Sequence, residues 1–179
     1  CQAHGAPAIL TSVDHKSGTD RCAEVAKGLD KTFVLNVQGD EPFVNLEDLE
    51  KLMLQMQKSG DPMGTLVHRN RDRAAYENPN CVKALVNDRG QALYFSRSPI
   101  PFFREPAVFD GFWQHIGLYA FTREGLFRFC QLPQHALEKA ESLEQLRALG
   151  NAMTIATTIA DHPSIGIDTP HDLEAARAR

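Results

Sequence analysis

Acidic side chains follow two apolar segments of the sequence, at the point where each segment ends. Asp40 comes after the apolar run 33–37, and Asp168 comes after 165–167. In an open α/β sheet, ligands bind outside the carboxyl ends of the strands. Two carboxylates at neighbouring strand ends would bind a hard cation such as Mg²⁺, which prefers oxygen ligands and often carries substrate phosphates. A turn at Asp40 and a helix start after Asp168 explain the same residues, so the pattern alone leaves both interpretations open.

A second candidate is the stretch His-Lys-Ser-Gly-Thr-Asp-Arg at 15–21, which runs from a predicted strand end into a predicted helix start. Backbone N–H groups at a helix start, the close approach that Gly18 permits and the hydroxyls of Ser17 and Thr19 suit a nucleotide base or phosphate. Ordinary helix capping, with Thr19 as the N-cap residue, explains the stretch equally well.

Polar residues in the second half of the chain have two interpretations each. Glu141, Glu144 and Gln145 are three or four residues apart, which predicts one side of a helix. They could bind a polyhydroxylated ligand or form a solvated face. His115 and Tyr119 lie on a predicted strand, where a core or edge position is the usual explanation.

Composition excludes several classes of function. The 179 residues carry a net charge of −4 without a run of Lys or Arg, which speaks against nucleic-acid binding. No apolar run approaches the roughly 20 residues that span a bilayer, and we see no signal peptide. The four cysteines are scattered, without a C-x-x-C pair, which favours a reducing cytoplasm over a disulfide framework or a zinc site.

The periodicity of apolar residues predicts alternating strands and helices in one domain over 1–179. Asn-Asp-Arg-Gly at 87–90 predicts a hairpin turn. Strands are predicted over 8–11, 33–37, 63–68, 81–86, 91–95, 115–121 and 153–159, and helices over 20–29, 46–58, 123–130, 136–149 and from 170 onward. This order favours a mixed, mainly parallel α/β sheet.

Seven stretches occur in the order expected of one family. They are DHKSGTDR at 14–21, NVQGDEP at 36–42, NPNCVKALV at 78–86, ALYFSRSPIP at 92–101, HIGLYAF at 115–121, LEKAESLEQLRAL at 137–149 and GIDTPHDLE at 166–174. Each motif is modest alone, but together they cover essentially the whole chain. The sequence resembles the 3-deoxy-manno-octulosonate cytidylyltransferases, also called CMP-Kdo synthetases.

The resemblance implies a sheet of the nucleotide-sugar transferase type with a dimerising β-hairpin extension. It implies coupling of CTP with the acidic sugar Kdo, giving CMP-Kdo and pyrophosphate with Mg²⁺, for lipopolysaccharide synthesis. The residues that the resemblance places at the site are Asp40 and Asp168 on the metal, Gln38, Arg97, His115, Tyr119, Glu144 and Gln145 on the sugar, and Ser17, Gly18 and Thr19 near the cytidine.

Three further expectations follow. The family opens with a strand and an Arg- and Lys-bearing loop that holds the triphosphate, and this segment is expected to be missing before Cys1. The strand at 115–121 has apolar residues on both faces, so we expect either a helix or the second subunit of a homodimer to cover one of them. The alternative functions are a cytidylyltransferase for another acidic sugar, such as a sialic acid, and a non-catalytic fragment that retains sugar binding and self-association.

Overall fold

We analysed a computed structural model, which describes residues 5–39, 41–162, 166–167 and 170–177. Asp40 and Asp168, the two predicted metal ligands, lie outside the described residues. The helices are α1 (Gly18–Lys27), α2 (Leu46–Ser59), α3 (Arg73–Glu77), α4 (Arg123–Gln131), α5 (Ala136–Glu141), α6 (Gln145–Gly150) and α7 (Pro170–Arg177). The strands are β1 (Phe33–Asn36), β2 (Met63–Asn70), β3 (Lys83–Val86), β4 (Ala92–Ser96), β5 (Phe112–Thr122) and β6 (Ile155–Ile159).

The six strands form one mixed sheet in the order β4-β3-β5-β2-β6, and β1 also pairs with β5. The predicted mixed α/β class is therefore confirmed. The balance of strand directions differs from the prediction, because within the described residues only β2 and β6 pair in parallel. The chain reaches β5 from the hairpin rather than from a crossover helix, and this reverses its direction relative to its neighbours.

The predicted hairpin is present as β3 and β4, which pair in antiparallel register from Lys83↔Ser96 to Val86↔Ala92. Its turn reaches across to β6, where the backbone N–H and the hydroxyl of Thr157 donate to the carbonyl of Gly90 at 2.7 and 3.0 Å. These bonds hold the hairpin against the far edge of the sheet.

Both faces of β5 are covered by the chain itself. On one face Leu118 is fully buried in a cluster with Leu52 and Met56 of α2, and on the other Phe121 is fully buried beside Phe129 of α4. Of the two alternatives expected for this strand, coverage by a helix is therefore confirmed, and no second subunit is needed to cover it. The periodicity of 46–58 already predicted the helix that covers the first face, and the structure caps it with Asn45 and Gly60.

Three local predictions also fail. Residues 8–11 form no strand, and Leu10 is 99% exposed, because no described segment pairs with them. The N-cap residue of α1 is Ser17 instead of Thr19. The helix predicted over 136–149 is divided by Ser142, whose φ of 51° is left-handed. Glu141 and Glu144 therefore do not share one helical face, and Glu144 and Gln145 begin a separate helix.

Candidate active site

A row of polar side chains crosses the middle of the sheet. Asn36 of β1 is the register partner of Tyr119 of β5, and Tyr119 is in turn the partner of Thr65 of β2. Side chains of register partners lie on the same face of a sheet. All three residues are buried, and buried polar groups are stable only when they are hydrogen-bonded. The row therefore needs partners from the elements packed above it.

The first partner comes from the start of α1. Asn36 Nδ2 donates to the hydroxyl of Thr19 at 3.0 Å, and this hydroxyl donates to Oε1 of Glu144 at 2.7 Å. Burial raises the pKa of the Glu144 carboxyl, while the bond from Thr19 acts in the opposite direction by stabilising the charged form. Thr19 is fully buried and its hydroxyl is bonded within the protein, so its place near a cytidine stays a prediction.

The second partner comes from the first residue of α6. The Tyr119 hydroxyl donates to Oε1 of Gln145 at 2.9 Å, and Gln145 is only 1% exposed. Its Nε2 has no hydrogen-bond partner among the described residues. A buried amide donor without a partner costs about 1–3 kcal/mol, so such groups in native proteins usually serve a ligand or a bound water. Gln145 thus offers a donor to a polar ligand above the sheet.

The start of α1 and the end of β1 are in close contact beside this row. The Ser17 hydroxyl caps α1 by accepting from the backbone N–H of Asp20 at 3.1 Å. A Cβ atom at Gly18 would lie 3.2 Å from Oε1 of Gln38, which is tighter than ordinary packing. The glycine therefore lets the side chain of Gln38 lie directly against the loop, and the predicted nucleotide and sugar residues are neighbours here.

His115 is held as a neutral ring beside this row of polar side chains. Thr65 Oγ1 lies 2.9 Å from His115 Nε2 and 2.7 Å from the carbonyl of Leu118. Because the hydroxyl has one proton, donation to Leu118 leaves it to accept from Nε2–H, which fixes the tautomer. Burial lowers the pKa of His115 to about 3. Its ring packs edge-on against Phe95 and beside Tyr119, so a core position explains His115 and a sugar contact stays a prediction.

Arg97 stabilises the turn at Ser142, which precedes the predicted sugar-binding residues Glu144 and Gln145. Its Nε and Nη1 donate to the carbonyls of Glu141 and Pro79 at 2.7 and 3.1 Å, and Nη2 approaches the carbonyl of Ser142 at 3.5 Å. The Glu141 carboxylate accepts in return from the backbone N–H of Arg97 at 2.9 Å. Arg97 therefore has much of its donor capacity committed within the protein, and contact with a sugar carboxylate remains a prediction.

Lys83 stabilises the backbone at Arg97 and the loop before β3. It is fully buried, and its ammonium donates to the carbonyls of Asn78, Cys81 and Arg97. Burial lowers the pKa of this ammonium. The three acceptors tie the loop before β3 to the end of β4, where Arg97 begins its contacts.

Sequence reasoning missed Asn36, Thr65 and Lys83 as supports of the site. Each is a polar residue within or at the end of an apolar strand segment. A buried polar residue in such a segment requires partners, and this was the available signal. What the pattern could not supply was the identity of those partners, since Thr19 and Glu144 are 125 residues apart in the chain.

No described helix is long and apolar enough to cross a membrane. Within the described ranges, no three His, Cys, Asp or Glu side chains are grouped as a metal site. The predicted metal ligands are themselves not among those residues.

Comparison with known proteins defines the class to which this fold and site belong. A family model described as cytidylyltransferase matches residues 1–155. The 3-deoxy-manno-octulosonate cytidylyltransferase of Wolinella succinogenes is 45% identical over 98% of this chain and 76% of its own length. That of Trichlorobacter lovleyi is 42% identical over 98% and 74%. The molecule is thus a nucleotidyltransferase that uses a cytidine nucleotide.

A solved structure supports a narrower assignment. CMP:2-keto-3-deoxy-manno-octonic acid synthetase, complexed with CTP, matches with a TM-score of 0.91 and 42% identity, over 99% of this chain and 73% of that one. The chain belongs to the 3-deoxy-manno-octulosonate cytidylyltransferase family, as its motifs predicted. The mixed sheet is the architecture of this family, and the resemblance to Kdo enzymes is confirmed.

Burial of His115 gives a testable prediction about pH. Because the folded pKa is about 3 and the unfolded value about 6.5, protonation favours the unfolded chain. The contribution of His115 to stability is complete above the unfolded pKa and declines as the pH falls below it. We expect ¹⁵N NMR to show an unchanged Nε2–H tautomer between about pH 8 and pH 5, where an ordinary histidine changes charge. A titration midpoint near that of an unstructured histidine peptide would contradict the burial argument.

Proposed function

We propose that this protein transfers the cytidylyl group of CTP to Kdo, releasing pyrophosphate, in lipopolysaccharide synthesis. The observation that carries the proposal is the buried row in which Tyr119 and Thr19 hold Gln145 and Glu144 at the start of α6. It supplies an unpartnered amide donor and a carboxylate to a small polar ligand. The family membership supports the choice of ligand, since the relatives carry the name of the Kdo enzyme.

The geometry supports a division of the site between two substrates. The backbone at the start of α1, where Ser17 is half-buried and Gly18 is exposed, would bind the cytidine. Glu144 and Gln145 would bind the hydroxyls of the sugar. Gln38 lies between them, against Gly18. An acidic sugar bound over Gln145 would therefore be adjacent to a nucleotide bound at the start of α1, which is the arrangement that in-line transfer requires.

The reaction is an in-line displacement at phosphorus. The anomeric oxygen of Kdo forms a bond to the α-phosphorus of CTP, and the bond from this phosphorus to the bridging oxygen of the β-phosphate breaks. Pyrophosphate leaves with the electron pair of that bond, and the proton of the anomeric hydroxyl passes to solvent. The protein contributes by orienting both substrates and by excluding water, because phosphoryl transfer depends mainly on positioning and electrostatic stabilisation.

Mg²⁺ is part of the proposal through Asp40 and Asp168. Their oxygen donors suit this hard cation, which would neutralise charge on the phosphates.

We propose that the chain acts as a homodimer in the cytoplasm. The β3–β4 hairpin, where Leu93 is 58% exposed, offers an apolar contact for dimerisation. Sedimentation showing only monomers of the full-length protein would contradict the homodimer.

The choice of sugar is tested by turnover. Purified full-length protein with CTP and Mg²⁺ should release pyrophosphate with Kdo and show little release with a sialic acid. Tyr119→Phe keeps the ring but removes the donor to Gln145, so it should weaken turnover at low Kdo more than at saturating Kdo. Comparable turnover with sialic acid would favour the alternative acidic-sugar enzyme. Absence of turnover with either sugar, in protein that binds Kdo, would favour the non-catalytic alternative.

The metal assignment is tested by charge removal. Asp40→Asn and Asp168→Asn should each lower turnover by about 10² or more, because a carboxylate that holds a phosphate-bearing metal stabilises the transition state. Asp88→Asn, in the hairpin turn, is the matched control and should leave turnover unchanged. Near-normal turnover of either site variant at limiting Mg²⁺ would refute the assignment.

A further inference from the structure

The side chain of Thr19 faces the sugar residues although its place in the sequence is in the nucleotide motif. It is the second residue of α1, whose start forms the predicted cytidine loop. Its hydroxyl, however, contacts Asn36 and Glu144 within the protein. We propose that Thr19 is a positioning residue of the sugar site, which acts by orienting the carboxylate of Glu144. The inference rests on the proposed function, because that function assigns Glu144 to the sugar.

The direction of the hydrogen bonds in this chain is determined by the donors available. Asn36 Nδ2 is a donor, so the Thr19 oxygen accepts from it. The single hydroxyl proton of Thr19 is then left for Glu144 Oε1, which accepts at 2.7 Å. One oxygen of the carboxylate is thereby held toward α1. The second oxygen is not the one that accepts from Thr19, and it is the one that can turn to a ligand.

Burial makes this orientation effective. Thr19 is fully buried and Asn36 is 4% exposed, so water does not replace a missing hydroxyl at their contact. Hydrogen bonds in such surroundings are strong and the loss of one partner leaves the others unsatisfied. Without the hydroxyl, the Glu144 carboxylate would lose the contact that fixes its rotamer. The carboxylate beside Gln145 would then be misplaced for the sugar, while the loop backbone at 17–18 would be unchanged.

The backbone contacts of α1 explain why nucleotide binding should be spared. Ser17 caps the helix through its own hydroxyl, and this bond does not involve the Thr19 side chain. A substitution confined to the hydroxyl of Thr19 therefore changes the sugar side of the site and leaves the helix start in place. This separation distinguishes a positioning role from a general effect on folding.

The experiment compares Thr19→Val with Thr19→Ser in the full-length protein. Val has nearly the same shape without the hydroxyl, and Ser retains the hydroxyl. We expect Thr19→Val to raise the KM for Kdo by about tenfold, the size of one lost bond to a charged group. The KM for CTP should be unchanged, and Thr19→Ser should restore the KM for Kdo. Thr157→Val, which removes a buried hydroxyl bond at the hairpin turn, is the control and should leave both KM values unchanged.

A double-mutant cycle with Glu144→Ala tests whether Thr19 acts through Glu144. In that background Thr19→Val should have no further effect on the KM for Kdo, since the group it orients is absent. Additive effects, or equal rises in both KM values, would overturn the proposal. Should Thr19→Val fail to fold, Thr19→Cys offers a similar volume with a weak donor and carries the same comparison. Wild-type protein inactive with Kdo would refute the proposed function instead, so the two failures are distinguishable.

Discussion

Strand β5 is the constraint on which the rest of the structure depends, because it is hydrogen-bonded along both edges. Strand β2 pairs with one edge of β5 over nearly the full length of β5. On the other edge, β3 pairs with the beginning of β5 and β1 pairs with its end. Register is strongly specified wherever one face of a strand is buried, because a slip of one residue moves every side chain to the other face. The pairing places Asn36, Tyr119 and Thr65 in one row, and a slip of one residue would move Tyr119 to the opposite face.

The row imposes a second constraint, since polar groups in a protein interior must find partners. Thr19, Glu144 and Gln145 provide them from α1 and the start of α6, and Arg97 and Lys83 hold the neighbouring turns. The break at Ser142 is part of this arrangement. A continuous helix through 142 would carry Glu144 and Gln145 away from the row, whereas a new helix start places both side chains over it.

Much of this was predictable from local sequence. The apolar periodicity located all six strands of the described residues and α2, and the Asn-Asp-Arg-Gly turn identified the hairpin, because these features depend on neighbouring residues. The motifs indicated Glu144, Gln145 and Tyr119. The sequence could not show that Thr19 binds Glu144, nor that Arg97 is committed to backbone carbonyls, because these contacts depend on the packing of distant segments. The division of 136–149 was missed because its apolar spacing is that of one continuous helix.

A crystal structure of the full-length protein with Kdo and a non-reacting CTP analogue tests the central claim most directly. The account predicts an oxygen of Kdo within about 3.2 Å of Gln145 Nε2, a second contact from Glu144 with its Thr19 bond intact, and the cytidine against the backbone of 17–18. A sugar bound away from α6, with Gln145 Nε2 satisfied by a protein group instead, would contradict it.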